Sequence, residues 1–294
     1  MVTIDNPVLL PGSRVLVTGV SGFIGSHIAD QLLAEGYLVT GTARDISKIS
    51  WLQLLFDRNY GAGKFEVVQV PDLSKPGAFD GLLNDPNTVI TPMVAGTLGL
   101  LNAAAGEPSV KRFVLTSSCA AAATAKPGVA QTIDTNTWND EASLEAWGPP
   151  PYGPERSFAV YATSKMQMEK EAWKWHANRK PHFVLNTSRS LTQMPDFFVD
   201  VEDNARLHVA ALIHPGVVGE RIFAYAQPYT WRGVQRAIHR LYPNRAFSGD
   251  IEDAELDASH IVPAPRAEAL LKDMGRPGWT DLKESVKMNV DDLA

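Results

Sequence analysis

The sequence has one cysteine, Cys119, among 294 residues, so an intramolecular disulfide is excluded. Such usage suits a reducing compartment. Seven histidines are present, but no His-x-x-x-His or Cys-x-x-Cys spacing occurs, so no metal site is expected. The net charge is -6 and there is no long basic run, which argues against a nucleic-acid partner. No unbroken apolar run is long enough to span a bilayer. The stretch from Met1 to Asn6 has neither the charged region nor the apolar core of a signal peptide. The expectation is a cytoplasmic protein with no metal, membrane or nucleic-acid partner. Oligomeric state is not legible, and no internal repeat is found.

What is present is enough for a sizeable core: 45% of residues are hydrophobic and 20% charged. The most informative stretch is Val15-Leu-Val-Thr-Gly-Val-Ser-Gly-Phe-Ile-Gly25. A short apolar strand is followed by glycines at 19, 22 and 25 and then by a helical stripe at Ile24, Ile28, Leu32 and Leu33. Gly19 allows the tight turn, Gly22 the close approach of a diphosphate, and Gly25 the close packing of helix on strand. The diphosphate would lie on the free amides of the helix N-terminus. The alternative is an ordinary Gly-rich turn between strand and helix. The strand before it, the helix after it and the N-terminal position favour dinucleotide binding.

Tyr37 to Thr42 alternates and reads as a second strand ending in Gly41-Thr-Ala-Arg-Asp45. An acidic residue there would hold an adenine ribose hydroxyl, whereas an arginine accommodates a 2′-phosphate. Arg44, with Lys48 one turn on, favours NADP; Asp45 is assigned to capping the next helix, expected from Asp45 to about Tyr60. Phe65 to Val70 is a third strand. Asp72 and Leu73 after it would lie beside the adenine or simply form a capped turn.

Gly77 to Leu83 is expected to be a short helix and Ile90 to Ala105 a long one. Asn84 to Thr88 between them has turn composition, so the fourth strand of a doubly wound sheet is missing. Arg112 to Ser118 is a strand with hydroxyls at its carboxyl end, where open α/β sheets bind ligands. Residues 128 to 157 read as a long loop. Phe158 to Lys180 is a strong helix that places Tyr161 and Lys165 on one face, one turn apart. Further strands are expected at Phe183 to Thr187, Phe197 to Val201 and Arg221 to Tyr225. Helices are expected at Ala205 to Ile213 (capped by Asp203), Trp231 to Leu241, Arg266 to Met274 and Asp281 to Leu293. The fold class is therefore α/β, a Rossmann-type doubly wound parallel sheet with a small C-terminal substrate lobe. Residues 1–187 form mainly the dinucleotide-binding domain with the catalytic helix, and 188–294 mainly the lobe, with no linker between them.

Thr18-Gly-x-x-Gly-Phe-Ile-Gly25, Thr116-Ser-Ser118 and Tyr161-x-x-x-Lys165 together resemble the extended short-chain dehydrogenase/reductase family. Gly41 to Arg44, Ser109 to Ser118, Lys180 to Phe183, Phe198 to Asp203 with Ala205 to His208, and Gly275 to Trp279 narrow this. They look like fungal NADPH-dependent aldehyde and ketone reductases, relatives of plant dihydroflavonol reductase. The resemblance spans nearly the whole chain. It implies that Tyr161 protonates the carbonyl oxygen and that Lys165 holds the nicotinamide ribose and favours the tyrosinate. Ser118 would polarise the carbonyl, with Ser117 as second choice. A free phenol titrates at roughly 10, so a nearby cation is needed for proton exchange near neutral pH. The cofactor, NADP(H), would be bound by Gly19, Gly22, Phe23, Ile24, Gly25, Arg44, Lys48, Asp72, Leu73, Tyr161 and Lys165. The implied activity is reduction of an aldehyde or ketone. The alternatives are a nucleotide-sugar epimerase or dehydratase, or a non-catalytic NADP-binding sensor. Trp147, Tyr152 and Phe158 suggest either an apolar pocket or core.

The chain departs from this family twice. After Leu83 the family's fourth strand, with a His-x-Ala-Ser-like segment, has no counterpart. After Thr187 a Pro-Asn loop and a substrate-covering segment have none. The expectation is that these segments belong to the protein and are missing from this sequence. A central strand cannot be deleted without exposing backbone groups that must be paired. An intact mass of 32.0 kDa would overturn that. A genuinely shortened chain is expected to be poorly stable and weakly active.

Overall fold

The computed structural model describes residues 4–70, 84–190, 197–245, 249 and 251–291. The N-terminal part runs β1 (Arg14–Val17), α1 (Phe23–Ala34), β2 (Leu38–Ala43), α2 (Ser50–Tyr60) and β3 (Phe65–Gln69). These strands pair in parallel in the order β1-β2-β3. Then come α3 (Pro86–Ala105), β4 (Arg112–Ser118), β5 (Thr132–Ile133), α4 (Asp140–Ala146), α5 (Ser157–Arg179) and β6 (Val184–Ser190). The remainder is β7 (Phe197–Phe198), α6 (Val201–Ile213), β8 (Arg221–Phe223), β9 (Gln227–Pro228), α7 (Trp231–Leu241), β10 (His260–Ile261), α8 (Ala264–Asp273) and α9 (Leu282–Val290). A second parallel sheet has the order β4-β6-β8, while β5–β10 and β7–β9 form two short ladders.

The architecture is Rossmann-type α/β, with its parallel strands in two three-stranded sheets. Among the described residues no strand joins β1 to β4. The two sheets are bridged from one side by α6, which packs on α1, β4 and β6. Leu207, Val209, Ala210 and Ala211 of α6 share one core with Val15 and Val17 of β1 and Leu32 and Leu33 of α1. Among the described residues nothing packs on the other face of β1. Val15 and Val17 are buried, but Leu16 between them is 60% exposed. Strands inside a doubly wound sheet are normally buried on both faces. The second sheet has that cover: Leu185 of β6 is buried with Leu101 of α3, Ala172 of α5 and Phe183.

Several elements differ from the sequence expectation. The turn composition before α3 is its cap. Asp85 Oδ1 accepts from Asn87 N at 2.9 Å, and Pro86 opens the helix. That helix is also long and apolar enough to cross a bilayer by length and composition, with 17% of its most apolar stretch buried. This corrects the expectation from unbroken runs, because Thr and Gly interrupt a run while lowering hydropathy little. Asp200, not Asp203, caps α6 and accepts from Glu202 N at 2.9 Å. Asp203 lies inside the helix, where it is buried and accepts from Thr280 N at 2.7 Å. The loop 128–157 contains β5 and α4, the latter capped by Asn139. The strand expected at Phe197 to Val201 shrinks to two residues paired with β9. The expected helix Gly77 to Leu83 lies outside the described residues.

Candidate active site

The N-terminal turn has the shape the glycines suggested. Gly19 has φ +67°, which L-residues with side chains rarely adopt. Gly22 is the N-cap of α1, and no side chain caps that end. A Cβ on Gly25 would stand 2.4 Å from the Gly19 carbonyl oxygen, so only glycine lets α1 start this close to the turn. The uncapped amides and positive end of the dipole form an anion cradle. Phe23 is 59% exposed at the first position of α1, edge-on to His27, and Ile24 follows half-buried.

Arg44 stands exposed just past the carboxyl end of β2, with its carbonyl accepting from Gln69 Nε2. Asp45 does what the sequence assigned to it. It caps the short 3-10 helix Ile46–Ile49, accepting from Ser47 N at 3.0 Å and Ser47 Oγ at 2.6 Å. These bonds hold its carboxyl below the ordinary carboxylate range. Lys48 is 3.9 Å from Asp45 and exposed. Asp72 and Leu73 lie outside the described residues.

At the tip of β4, side chains alternate between faces, and the three hydroxyls part company. Thr116 Oγ1 lies 3.0 Å from His208 Nε2. Ser117 Oγ donates to Glu169 Oε2 at 2.6 Å. Ser118 caps the following 3-10 turn, its Oγ accepting from Ala120 N at 3.2 Å. The serine hydroxyls are thereby distinguished, since Ser117 is committed to a buried carboxylate. Helix α5 packs on β4 and on this turn, with Ala120 against Ala159, Val160 and Ala162. Lys165 Nζ reaches the Thr116 carbonyl at 3.5 Å. Burial pulls the Lys165 ammonium below its ordinary value, and the charge of Glu169 works against that pull. Tyr161, one turn earlier, is 38% exposed. Phe158 packs into the core beside Ala159, Trp147 is largely exposed, and Tyr152 lies under the Arg156 guanidinium.

His208 has no signal of its own in the sequence beyond the family-like stretch Ala205 to His208. It is fully buried on α6, and burial pushes it down to about 4. Its Nδ1–H donates to the Asn204 carbonyl at 2.8 Å, which leaves Nε2 to accept from Thr116. Glu169, Arg189 and Arg221 were also missed. The available signal was a carboxylate at the fourth position after Lys165, on a face otherwise lined by Ala159, Ala162, Met166 and Ala172.

The model of the NAD dependent epimerase/dehydratase family matches residues 15–190. Aldehyde reductase 2 of Sporidiobolus salmonicolor is 37% identical, with 98% of each chain covered. Its alignment of 337 positions against 294 residues leaves at least 43 positions where this chain has none. The ketoreductase adrE of Penicillium rubens is 34% identical, again with 98% of each covered. The structure of Gre2 from Candida albicans in complex with NADPH has a TM-score of 0.78 at 23% identity. It covers 96% of this chain and 98% of its own. The glycine turn, the hydroxyl-tipped strand and the Tyr-Lys helix all fall within the matched span, and the chain belongs to the NAD dependent epimerase/dehydratase family.

Proposed function

We propose that the protein is an NADPH-dependent carbonyl reductase that converts an aldehyde or ketone to an alcohol. The observation that carries this is the Lys165–Thr116 contact, which fixes the reactive face of α5 to the strand tip bearing Ser118. Similarity to an aldehyde reductase and a ketoreductase over almost the whole chain supports the same reading. The residues present fit the cofactor. The uncapped α1 N-terminus suits a diphosphate, and exposed Arg44 with Lys48 suits a 2′-phosphate. NADPH, when bound, supplies the hydride.

The chain's own residues do the rest. Ser118 Oγ donates a hydrogen bond to the carbonyl oxygen and polarises it. Tyr161 Oη delivers a proton to that oxygen as negative charge develops there. Lys165 binds the nicotinamide ribose hydroxyls, and its charge stabilises the resulting tyrosinate. Bulk water returns a proton to Tyr161, whose ring is part-exposed.

The test is loss of NADPH absorbance with a panel of aldehydes, α-keto esters and aryl ketones, repeated with NADH. Turnover with NADPH well above NADH supports the reductase and the role of Arg44. No turnover with either would sink the reading. A second reading, an epimerase or dehydratase, is favoured by one similarity: terH of Aspergillus terreus, named an NAD-dependent epimerase/dehydratase, is 34% identical. NAD retained through purification would favour it; exposed Arg44 counts against it.

A further inference from the structure

Below the hydroxyl-tipped strand lies a buried charge cluster that the reaction as described does not use. Glu169 is fully buried on α5, one turn past Lys165. Its Oε2 accepts from Ser117 Oγ at 2.6 Å, Arg189 Nη2 at 2.8 Å and Arg189 Nε at 3.1 Å. Its Oε1 accepts from Thr187 Oγ1 and Arg221 Nε, both at 2.9 Å. The partners come from β4, β6 and β8, so one carboxylate ties all three strands of the second sheet to the helix carrying Tyr161 and Lys165. The cluster is not balanced in charge. Arg189 and Arg221 bring two positive charges against one negative, and Lys165 adds a third, one helical turn before Glu169 on α5. The Arg221 guanidinium lies flat on Trp138, 3.7 Å from the ring centroid, which helps hold this excess. Among the described residues Arg189 Nη1 has no hydrogen-bond partner, whereas both oxygens of the Glu169 carboxylate are bonded.

We propose that Glu169 is a positioning residue: its buried carboxylate holds Ser117 away from the substrate, leaving Ser118 as the reactive serine, and supplies the countercharge of Lys165. This rests on the reductase reading for the roles of Ser118 and Lys165. Among the described residues Lys165 meets the Thr116 carbonyl of β4, with neutral His208 of α6 bonded to the Thr116 hydroxyl, and it shares its helix face with Tyr161 and Glu169 one turn to either side. Arg189 and Arg221 act through Glu169 from β6 and β8. Only Glu169 among them is negative. A neutral residue there leaves Lys165 buried among positive charges, so it sheds its proton at lower pH.

The experiment measures NADPH binding against pH by tryptophan-to-cofactor energy transfer, alongside turnover, for wild type, Glu169→Gln, Glu169→Asp and Arg189→Gln. Lys165 would hold the ribose whether or not the protein turns over, so binding reports on its charge independently of turnover. Glu169→Gln should move the alkaline loss of binding down by about 1 to 3 pH units, the range for removing one close countercharge. Glu169→Asp should restore most of the position. Arg189→Gln should move it up, and this arm stands even if Glu169→Gln fails to fold. Equal midpoints in all folded variants, or shifts of one sign for both charge types, would overturn the inference. Wild-type binding without turnover would instead remove the reductase reading and leave the countercharge test intact.

Discussion

The two parallel sheets of this protein make an instructive pair. The first, β1-β2-β3, leads into the uncapped N-terminus of α1 and exposed Arg44; the second, β4-β6-β8, carries the hydroxyls and faces the Tyr-Lys helix. They differ in cover. The second is packed from both sides and locked from beneath by Glu169. The first is packed on one side only, leaving Leu16 exposed and, among the described residues, no backbone partner on the far edge of β1. In a doubly wound sheet a further strand lies between β1 and β4, and among the described residues none does so here. Helix α6 reaches across this interval, burying Leu207 and Val209 in the core of β1 while packing on β4 and β6.

The largest expected effect separates the two sheets by task. Tyr161→Phe, beside the second sheet, should cut turnover by about 10²- to 10⁴-fold, the contribution of a positioned proton donor. NADPH binding, measured by fluorescence titration, should stay near wild type. A comparable loss of binding would show that the tasks are not divided this way.

Next in size is the difference in cover. Leu185→Ala should lower stability by about 2–5 kcal/mol in denaturant unfolding, because it empties a closed core site. Leu16→Ala should cost below about 1 kcal/mol, since its side chain is already in water. Equal costs would mean that something covers β1 in solution. Amide exchange sharpens the same point. Leu38 N bonds to Ser13 O, so the ladder alternation turns the Leu16 amide to the open edge. It should exchange well ahead of Val15 and Val17.

The third expectation concerns the bridge between the sheets. His208 is neutral in the folded protein down to about 4, against 6.5 when unfolded. The unfolded chain therefore binds the proton first, and stability should be lost as pH falls from 6.5 toward 4 and be fully present above that window. The loss should approach about 3 kcal/mol, the free energy of lowering the His208 midpoint from 6.5 to about 4. His208→Gln should flatten the pH dependence of the unfolding midpoint there; an unchanged slope would remove His208 as its source.

The smallest effect belongs to the first sheet alone. Arg44→Ala should raise the KM for NADPH about tenfold or more while changing that for NADH little, as one charge-assisted phosphate contact is lost. An equal change with both cofactors would contradict the assignment of the 2′-phosphate to Arg44.

Much of this was legible in the sequence because its cause is local. Gly19 and Gly25 announce a turn whose positive φ and close helix start strongly favour glycine. Tyr161 and Lys165 share a face by helical periodicity alone, and Asp45 caps the helix after it because its neighbour Ser47 is two residues away. What sequence distance hides was decided by the tertiary structure. Ser117 and Ser118 are chemically identical neighbours, and only a carboxylate 52 residues on distinguishes them. Asp200 and Asp203 are equally good caps on paper; Asp203 was taken inside the helix because Thr280 and Arg276 arrive from the far end of the chain to meet it. Local backbone preference fixes turns, caps and faces, whereas the partner of a buried charge is chosen by which distant elements the core brings to it.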